Sequence, residues 1–481
     1  MHALTERTIF LDPTLGWILL GAFSVLWVGL GIYWGRRNKS FEDHALAGRN
    51  IGLALGSATA AATWITSNTT MLAPQFALEL GVWGMNAYST ASLGLMLFAP
   101  LAVRIRTLMP HGYTSGDFFR LRYGRATWAV FLVFTLFYSL TWLVSMAMAG
   151  GILLEALAGI DYVWGMTVIL GVCVLYTMRG GLGAVIGTDF IQTLIIIIGI
   201  VITGFAVLSQ VSVGEIHAEL SANKPALLDV LFPAAIMAIF NNLLFGLGEV
   251  FHNNVWWSRA FAFREGVGGK AFLIGGLVWL PIPVAAGFIA LASGALGVAV
   301  PSADMVGPLV IAQVLGTAGA VGIFIIVFCS LASSIDSLLA ATSDLITEDI
   351  WRRLLRPDAQ HAALKSAAQW ITLALGVLTW ALCAPRIGTL ASVLFFAGPL
   401  VGAMIFPIIT GLYWRSANTA GALGGMVLGA GAGLICYFTI GWFVATTIAT
   451  AVSMVWVLAA CALNRKSGRN PFDWARLKED S

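Results

Sequence analysis

Ser330, Ser333, Ser334 and Ser337 recur at i, i+3, i+4 and i+7 within an apolar stretch, which puts four hydroxyls on one face of a helix. Hydroxyls and backbone carbonyls are hard oxygen ligands, and a cage of them suits a small alkali cation. Asp336 stands beside that face and Asp344 lies further along it. Carbonyls become available where a membrane helix unwinds, and two other stretches read as breaks. Ala60-Ala61-Ala62-Thr63-Trp64-Ile65-Thr66-Ser67-Asn68-Thr69-Thr70 places small and polar side chains in an apolar run that Pro74 follows. Asn241-Asn242-Leu243-Leu244-Phe245-Gly246-Leu247-Gly248-Glu249 combines two amides, two glycines and an acid. Side-chain hydroxyls and amides satisfy backbone groups freed by unwinding, and transporters bind solute where helices are broken at matching places in two repeats. The plainer reading is that these residues only pack and hydrogen-bond between helices.

Two acids need an account. Glu249 lies near the middle of an apolar run, where an unpaired carboxylate is costly and marks an ion or solute pathway unless a structural network holds it. Asp189 opens another run after Arg179-Gly180-Gly181. It reads either as an N-cap shared with Thr188 or as part of an ion path. His252 reads as a satisfied helix-end histidine. The five cysteines show no metal-ligand spacing and read as small core residues.

The elements that must position these groups follow from composition. Of 481 residues 59% are hydrophobic and 10% charged, with a mean hydropathy of +0.88, against roughly 25% charged in a soluble domain. A water-soluble fold is excluded, and a net charge of +3 offers no concentrated basic face for nucleic acid. A span needs about 20 apolar residues. Thirteen fit, near 15–35, 50–76, 82–105, 127–155, 161–178, 189–209, 228–251, 271–294, 308–347, 367–384, 389–413, 418–439 and 441–463. The stretch at 308–347 is too long for one span and is expected to begin with a short separate piece around 305–316.

The two breaks lie five spans apart. An odd number flips the second copy, so the pattern predicts two inverted five-helix repeats, 50–209 and 228–413. An extra helix and loop at 1–49 precede them; two helices at 418–463 and a tail at 464–481 follow. Of 26 Lys and Arg residues, all but Arg7, Lys224 and Arg386 then fall on one side. The positive-inside rule makes that side cytoplasmic, with the N-terminus outside and the C-terminus inside. The opening MHALTERTIF has no basic n-region, so the first apolar run reads as a retained span of a multi-pass cell-membrane protein.

Three local motifs resemble the sodium:solute symporter family. They are Arg179-Gly180-Gly181-Leu182-Gly183-Ala184-Val185 leading to Thr188-Asp189-Phe190-Ile191-Gln192; Ser333-Ser334 followed by Thr347-Glu348-Asp349; and Ala62 to Thr66. The resemblance implies an all-α LeuT-type fold and a co-transported sodium ion. It implies sodium ligands at the Ala62, Ile65 and Ser330 carbonyls and the Ser333 and Ser334 hydroxyls. It further implies a second cation position at Asp189, Asp336 and Ser337, with Asp336 a departure because members with that site carry a serine there. Two carboxylates would either strengthen a cation site or let one hold a proton.

Glu249-Val250-Phe251 and Trp256-Trp257-Ser258-Arg259-Ala260 resemble the active urea transporter branch, as does Thr63-Trp64. Thr66, Asn68, Thr69, Asn242, Gly246 and Glu249 are the expected solute contacts. The reading is a sodium-coupled symporter, not an enzyme, that imports a small polar nitrogenous solute such as urea. The alternatives are a symporter for an amino acid, polyamine or sugar, or a transporter-like sensor. Membrane lipid is the expected surround, and nucleic acid is not a partner.

Overall fold

The computed structural model describes residues 9–36, 40–466 and 471–479, so Arg7, Arg37, Lys39 and Arg469 of the charge pattern lie outside the described residues. Every regular element described is a helix; the one β contact is an isolated bridge between Ile51 and Phe263. Among the described residues ten helical stretches are long and apolar enough to cross a membrane. Two of them hold two crossings each. Tyr162–Gln210 turns at Gly181, with φ of 56°, and Asn68–Leu108 turns at Gly81, with φ of 68°. The shorter Gly398–Tyr413, preceded by Leu390–Phe395, adds another. Thirteen crossings result, as the hydropathy pattern predicts.

Gly181 cannot be replaced without strain, because a Cβ there would lie 2.5 Å from His44 Nδ1. His44 sits on the short helix Phe41–Leu46, outside the spans and buried under that turn. Burial, with Lys365 nearby, pushes its imidazole down to about 4. The folded state therefore excludes a proton that the unfolded chain accepts near 6.5. Stability from this group is complete above that value and is lost as pH falls toward about 4. The melting temperature of His44→Gln is expected to vary less between pH 6.5 and 4.5 than that of the parent; parallel curves would refute this role.

The Ser-stripe helix, Val306–Leu345, packs against Tyr162–Gln210, Arg125–Ala158 and Leu53–Trp64. From Ile326 to Leu345 it is buried on every side, as expected for a helix with apolar residues around its serines. It bends at Gly316, with φ of 60°, after the short piece that its length predicts. Phe205, Ile202 and Val201 point apolar side chains outward, at 72%, 58% and 51% exposure, which suits lipid contact.

Loops grouped by their charge do meet at one end. Arg49 donates to the Pro110 and His111 carbonyls, Arg264 to Asn50, Arg353 pairs with Asp117, and Arg122 reaches the Trp414 and Ala417 carbonyls. At another place in the fold Arg386 pairs with Glu155 at 2.6 Å, near the Phe10 and Leu11 amides on the Leu157 carbonyl. Two arginines of the pattern are buried and not solvent-facing charges: Arg259 is 0% and Arg122 5% exposed.

The first break falls where the sequence predicts. Leu53–Trp64 ends at Ile65, whose ψ of 79° leaves the helical region, and a wide turn at Asn68–Leu72 leads into Ala73–Ser89. Thr69 holds the gap: its hydroxyl donates to the Trp64 carbonyl at 3.0 Å and accepts the Thr66 amide at 3.2 Å. The second break is elsewhere than predicted. Pro233–His252 runs unbroken through 241–249, and the chain leaves the helix at Asn253 before Asn254–Ala262. Gly246 and Gly248 serve close approach instead, since a Cβ would come within 2.6 Å of Ala91 Cα and 2.5 Å of the Val401 carbonyl. The Asn253 side chain competes for backbone and caps Val255 N at 2.9 Å.

Candidate cation and solute sites

The two broken helices and the Ser-stripe helix meet at mid-bundle. The Ser334 hydroxyl donates to the Thr63 carbonyl at 3.4 Å, so the stripe faces backbone at the first break. Ser330 donates to the Ile326 carbonyl of its own helix, and the Ala62 carbonyl takes the Ile65 amide at 3.1 Å. Ser333 donates to Asp189 Oδ1 at 2.6 Å. All five residues of the expected sodium cage are buried, and a hydroxyl keeps lone pairs for a cation while it donates.

Asp189 is not a helix cap. It lies within the second half of Tyr162–Gln210, where Thr59 donates to its Oδ2 at 2.5 Å. Arg259 stands 3.5 Å from the same oxygen, with both side chains at 0% exposure. Asp336 accepts the Ser337 amide on Oδ1, while its Oδ2 has no partner among the described residues. Asp344 is also buried, with Oδ1 unpartnered among them.

Beside the first break is a cavity with about 20 Å³ of free space, where roughly 10–15 Å³ holds one water. Trp64, Tyr88, Tyr138, Trp142, Phe245 and Trp279 form most of its wall, and Thr66, Asn68 and Asn242 supply polarity. Asn242 Nδ2 is committed to the Ala87 and Tyr88 carbonyls. Asn68 Oδ1 accepts from Ser145 at 3.1 Å, but Asn68 Nδ2 and Trp64 Nε1 have no partner among the described residues.

Three expected solute contacts do not line this cavity. Thr69 is spent on the break, Gly246 on packing against Ala91, and Glu249 stands behind the wall. Trp256 Nε1 donates to Glu249 Oε1 at 3.0 Å, and the Tyr138 hydroxyl lies against the same carboxylate. His252 stands at the helix end as expected, with Nδ1 2.6 Å from the Gly248 carbonyl, but it is not fully satisfied, because its buried Nε2 has no partner among the described residues. Four of the five cysteines are buried and all five are free.

The profile of the sodium:solute symporter family matches residues 44–429. The chain belongs to that family. Among curated relatives of this sodium:solute symporter family member, the urea-proton symporter DUR3 of Oryza sativa is 26% identical over 87% of this chain and 64% of its own length. Probable urea active transporter 3 of Schizosaccharomyces pombe is 28% identical over 82% and 65%. The osmoregulated proline transporter OpuE of Bacillus subtilis is 27% identical over 87% and 88%. The chain thus spans slightly less than two thirds of the length of those urea-transport relatives. A solved Na+-coupled sialic acid symporter superposes with a TM-score of 0.78 at 17% identity, over 94% of this chain and 98% of that one. Mhp1, a nucleobase-cation-symport-1 family transporter, gives 0.55 at 15%, over 92% and 99%. These likenesses show the fold, the LeuT-type arrangement of broken helices.

Sequence reasoning about this family member missed the aromatic wall and Arg259. The rings come from segments more than 200 residues apart and have no shared spacing. Arg259 did leave a signal, as the lone charge in the apolar stretch Val255–Ala262, but the charge pattern absorbed it as a loop residue.

Proposed function

We propose that this protein is a sodium-coupled secondary active symporter that imports a small polar nitrogenous solute, urea or a urea-like amide, by alternating access. It works in the cell membrane with its N-terminus outside and its C-terminus cytoplasmic, and its inverted repeats span 50–209 and 228–413. The observation that carries the solute class is the cavity at the first break. It is small, and it presents two buried donors, Asn68 Nδ2 and Trp64 Nε1, with no acceptor among the described residues. A buried donor left unpaired costs about 1–3 kcal/mol, so a solute with a carbonyl acceptor gains what these groups lack. Aromatic faces close over its planar amide. Thr66 and Asn242 complete the contacts, and Glu249 positions Tyr138 and Trp256 from behind.

Sodium binds between the Ala62, Ile65 and Ser330 carbonyls and the Ser333 and Ser334 hydroxyls. The same first break forms a wall of the solute cavity, so each ligand stabilises the geometry that the other needs, which is all that coupling requires. The membrane potential adds about 2.3 kcal/mol per charge per 100 mV to the sodium gradient. Relatives named as urea transporters support the urea reading. A second reading, a sodium symporter for an amino acid such as proline, is favoured by the fuller coverage of OpuE.

Uptake into proteoliposomes, with and without an inward sodium gradient, should be compared for urea, proline, polyamines and sugars. Sodium-dependent urea uptake is expected, reduced about 10-fold or more in Glu249→Gln, where a weaker acceptor holds Tyr138 and Trp256. Proline uptake in place of urea supports the second reading. Sugar uptake indifferent to Glu249 refutes both the solute class and this positioning role.

A further inference from the structure

Arg259 is a fully buried arginine on the half-helix after the second break, Asn254–Ala262. One terminal nitrogen donates to Thr63 Oγ1 at 2.5 Å and to Ser337 Oγ at 2.8 Å, and stands 3.5 Å from Asp189 Oδ2. Its Nε donates to Thr59 Oγ1 at 3.0 Å, and its other terminal nitrogen returns to the Val255 carbonyl at 3.1 Å. The carboxylate of Asp189 and the hydroxyl of Ser337 are the oxygens that a second transported cation would use. A guanidinium holds them here, and it stays protonated at any physiological pH.

Charge balance points the same way. Asp189 and Asp336 bring two buried carboxyl groups to the cluster, Asp189 beside Arg259 and Asp336 on the amide of Ser337, whose hydroxyl Arg259 holds. Ser333, a sodium ligand of the proposed site, is hydrogen-bonded to Asp189, so the two positions share one polar network. Arg259 already sets a fixed positive charge 3.5 Å from Asp189 and on the Ser337 hydroxyl. A second sodium at these oxygens would stand against the guanidinium in a dry interior, which is strongly unfavourable.

We propose that Arg259 is a resident cation that occupies the second cation position, so that this protein binds and couples a single sodium ion per cycle. The inference rests on the sodium site proposed above. The guanidinium supplies the charge that a second ion would bring but is tied to the chain, so it contributes to closing the bundle and nothing to the imported charge.

Radioactive sodium binding to the purified full chain reads this directly. The parent is expected to bind one sodium per chain, with a Hill coefficient of about 1, and Arg259→Lys to do the same. Arg259→Gln, checked for folding by its elution and melting profiles, is expected to bind two and to return to one when Asp189→Asn is added. Two ions per chain in the parent overturn the proposal, whether or not Arg259→Gln folds. A folded Arg259→Gln that still binds one overturns it too. Ser334→Ala separates the two readings: it weakens binding of the parent's single ion about 10- to 100-fold if the proposed sodium site is right. If that affinity is unchanged, the site assignment fails, while the second position is still judged by the ion count of Arg259→Gln.

Discussion

Ser334→Ala is expected to raise the sodium concentration for half-maximal uptake about 10- to 100-fold while leaving the melting temperature close to that of the parent. Removing one oxygen from a group that binds a charge costs about 1.5–3 kcal/mol, which converts to that range. The fold has little to lose at this position. The hydroxyl's one hydrogen bond, to the Thr63 carbonyl, is long at 3.4 Å, and alanine is the better helix former inside Val306–Leu345. An effect on sodium dependence without an effect on stability is what separates a ligand from a helix contact. Sodium-titrated uptake in proteoliposomes checks it, and an unchanged half-maximal concentration would remove Ser334 from the ion site.

Asp189→Ala is expected to act in the opposite way, on the fold first. It leaves the Arg259 guanidinium without the carboxylate 3.5 Å away, where both side chains are at 0% exposure. Removing one partner of such a pair costs about 3–5 kcal/mol, because the remaining charge stays buried. It also strands the hydroxyls of Thr59 and Ser333, which donate to Asp189 at 2.5 and 2.6 Å. The purified variant should melt well below the parent and express poorly. Asp189→Asn keeps the shape and one acceptor oxygen, so it should fall between the two. Double replacement with Arg259→Met should recover much of the loss, because a well-packed apolar pair needs no counter-charge. Equal melting of Asp189→Ala and parent would mean that the pair contributes nothing to the fold.

Both variants touch the same network, yet the residues differ in how legible they are. The serine stripe is local. Four hydroxyls at helical spacing share a face wherever the helix packs, and the structure turns that face toward the first break. The break itself is equally local, because Thr66 to Thr70 carry the hydroxyls that satisfy their own backbone once it unwinds. At 241–249 the same kind of reasoning failed. Glycine and asparagine inside a helix have two uses, unwinding and close packing, and only the neighbour decides between them. Ala91 and Val401 press against Gly246 and Gly248, so the helix stays whole there and unwinds at Asn253.

The sequence by itself determined the spans, the grouping of the loops by charge, the hydroxyl face of the serine helix and the first break. Each of these is set by hydropathy, by spacing along one helix, or by a side chain bonding its own backbone. Only the tertiary structure decided which oxygens Arg259 holds, where the second break falls, and which rings close the solute cavity. Those depend on residues up to about 200 positions apart, and a lone buried charge can be told from a loop charge only when the carboxylate that neutralises it is in place.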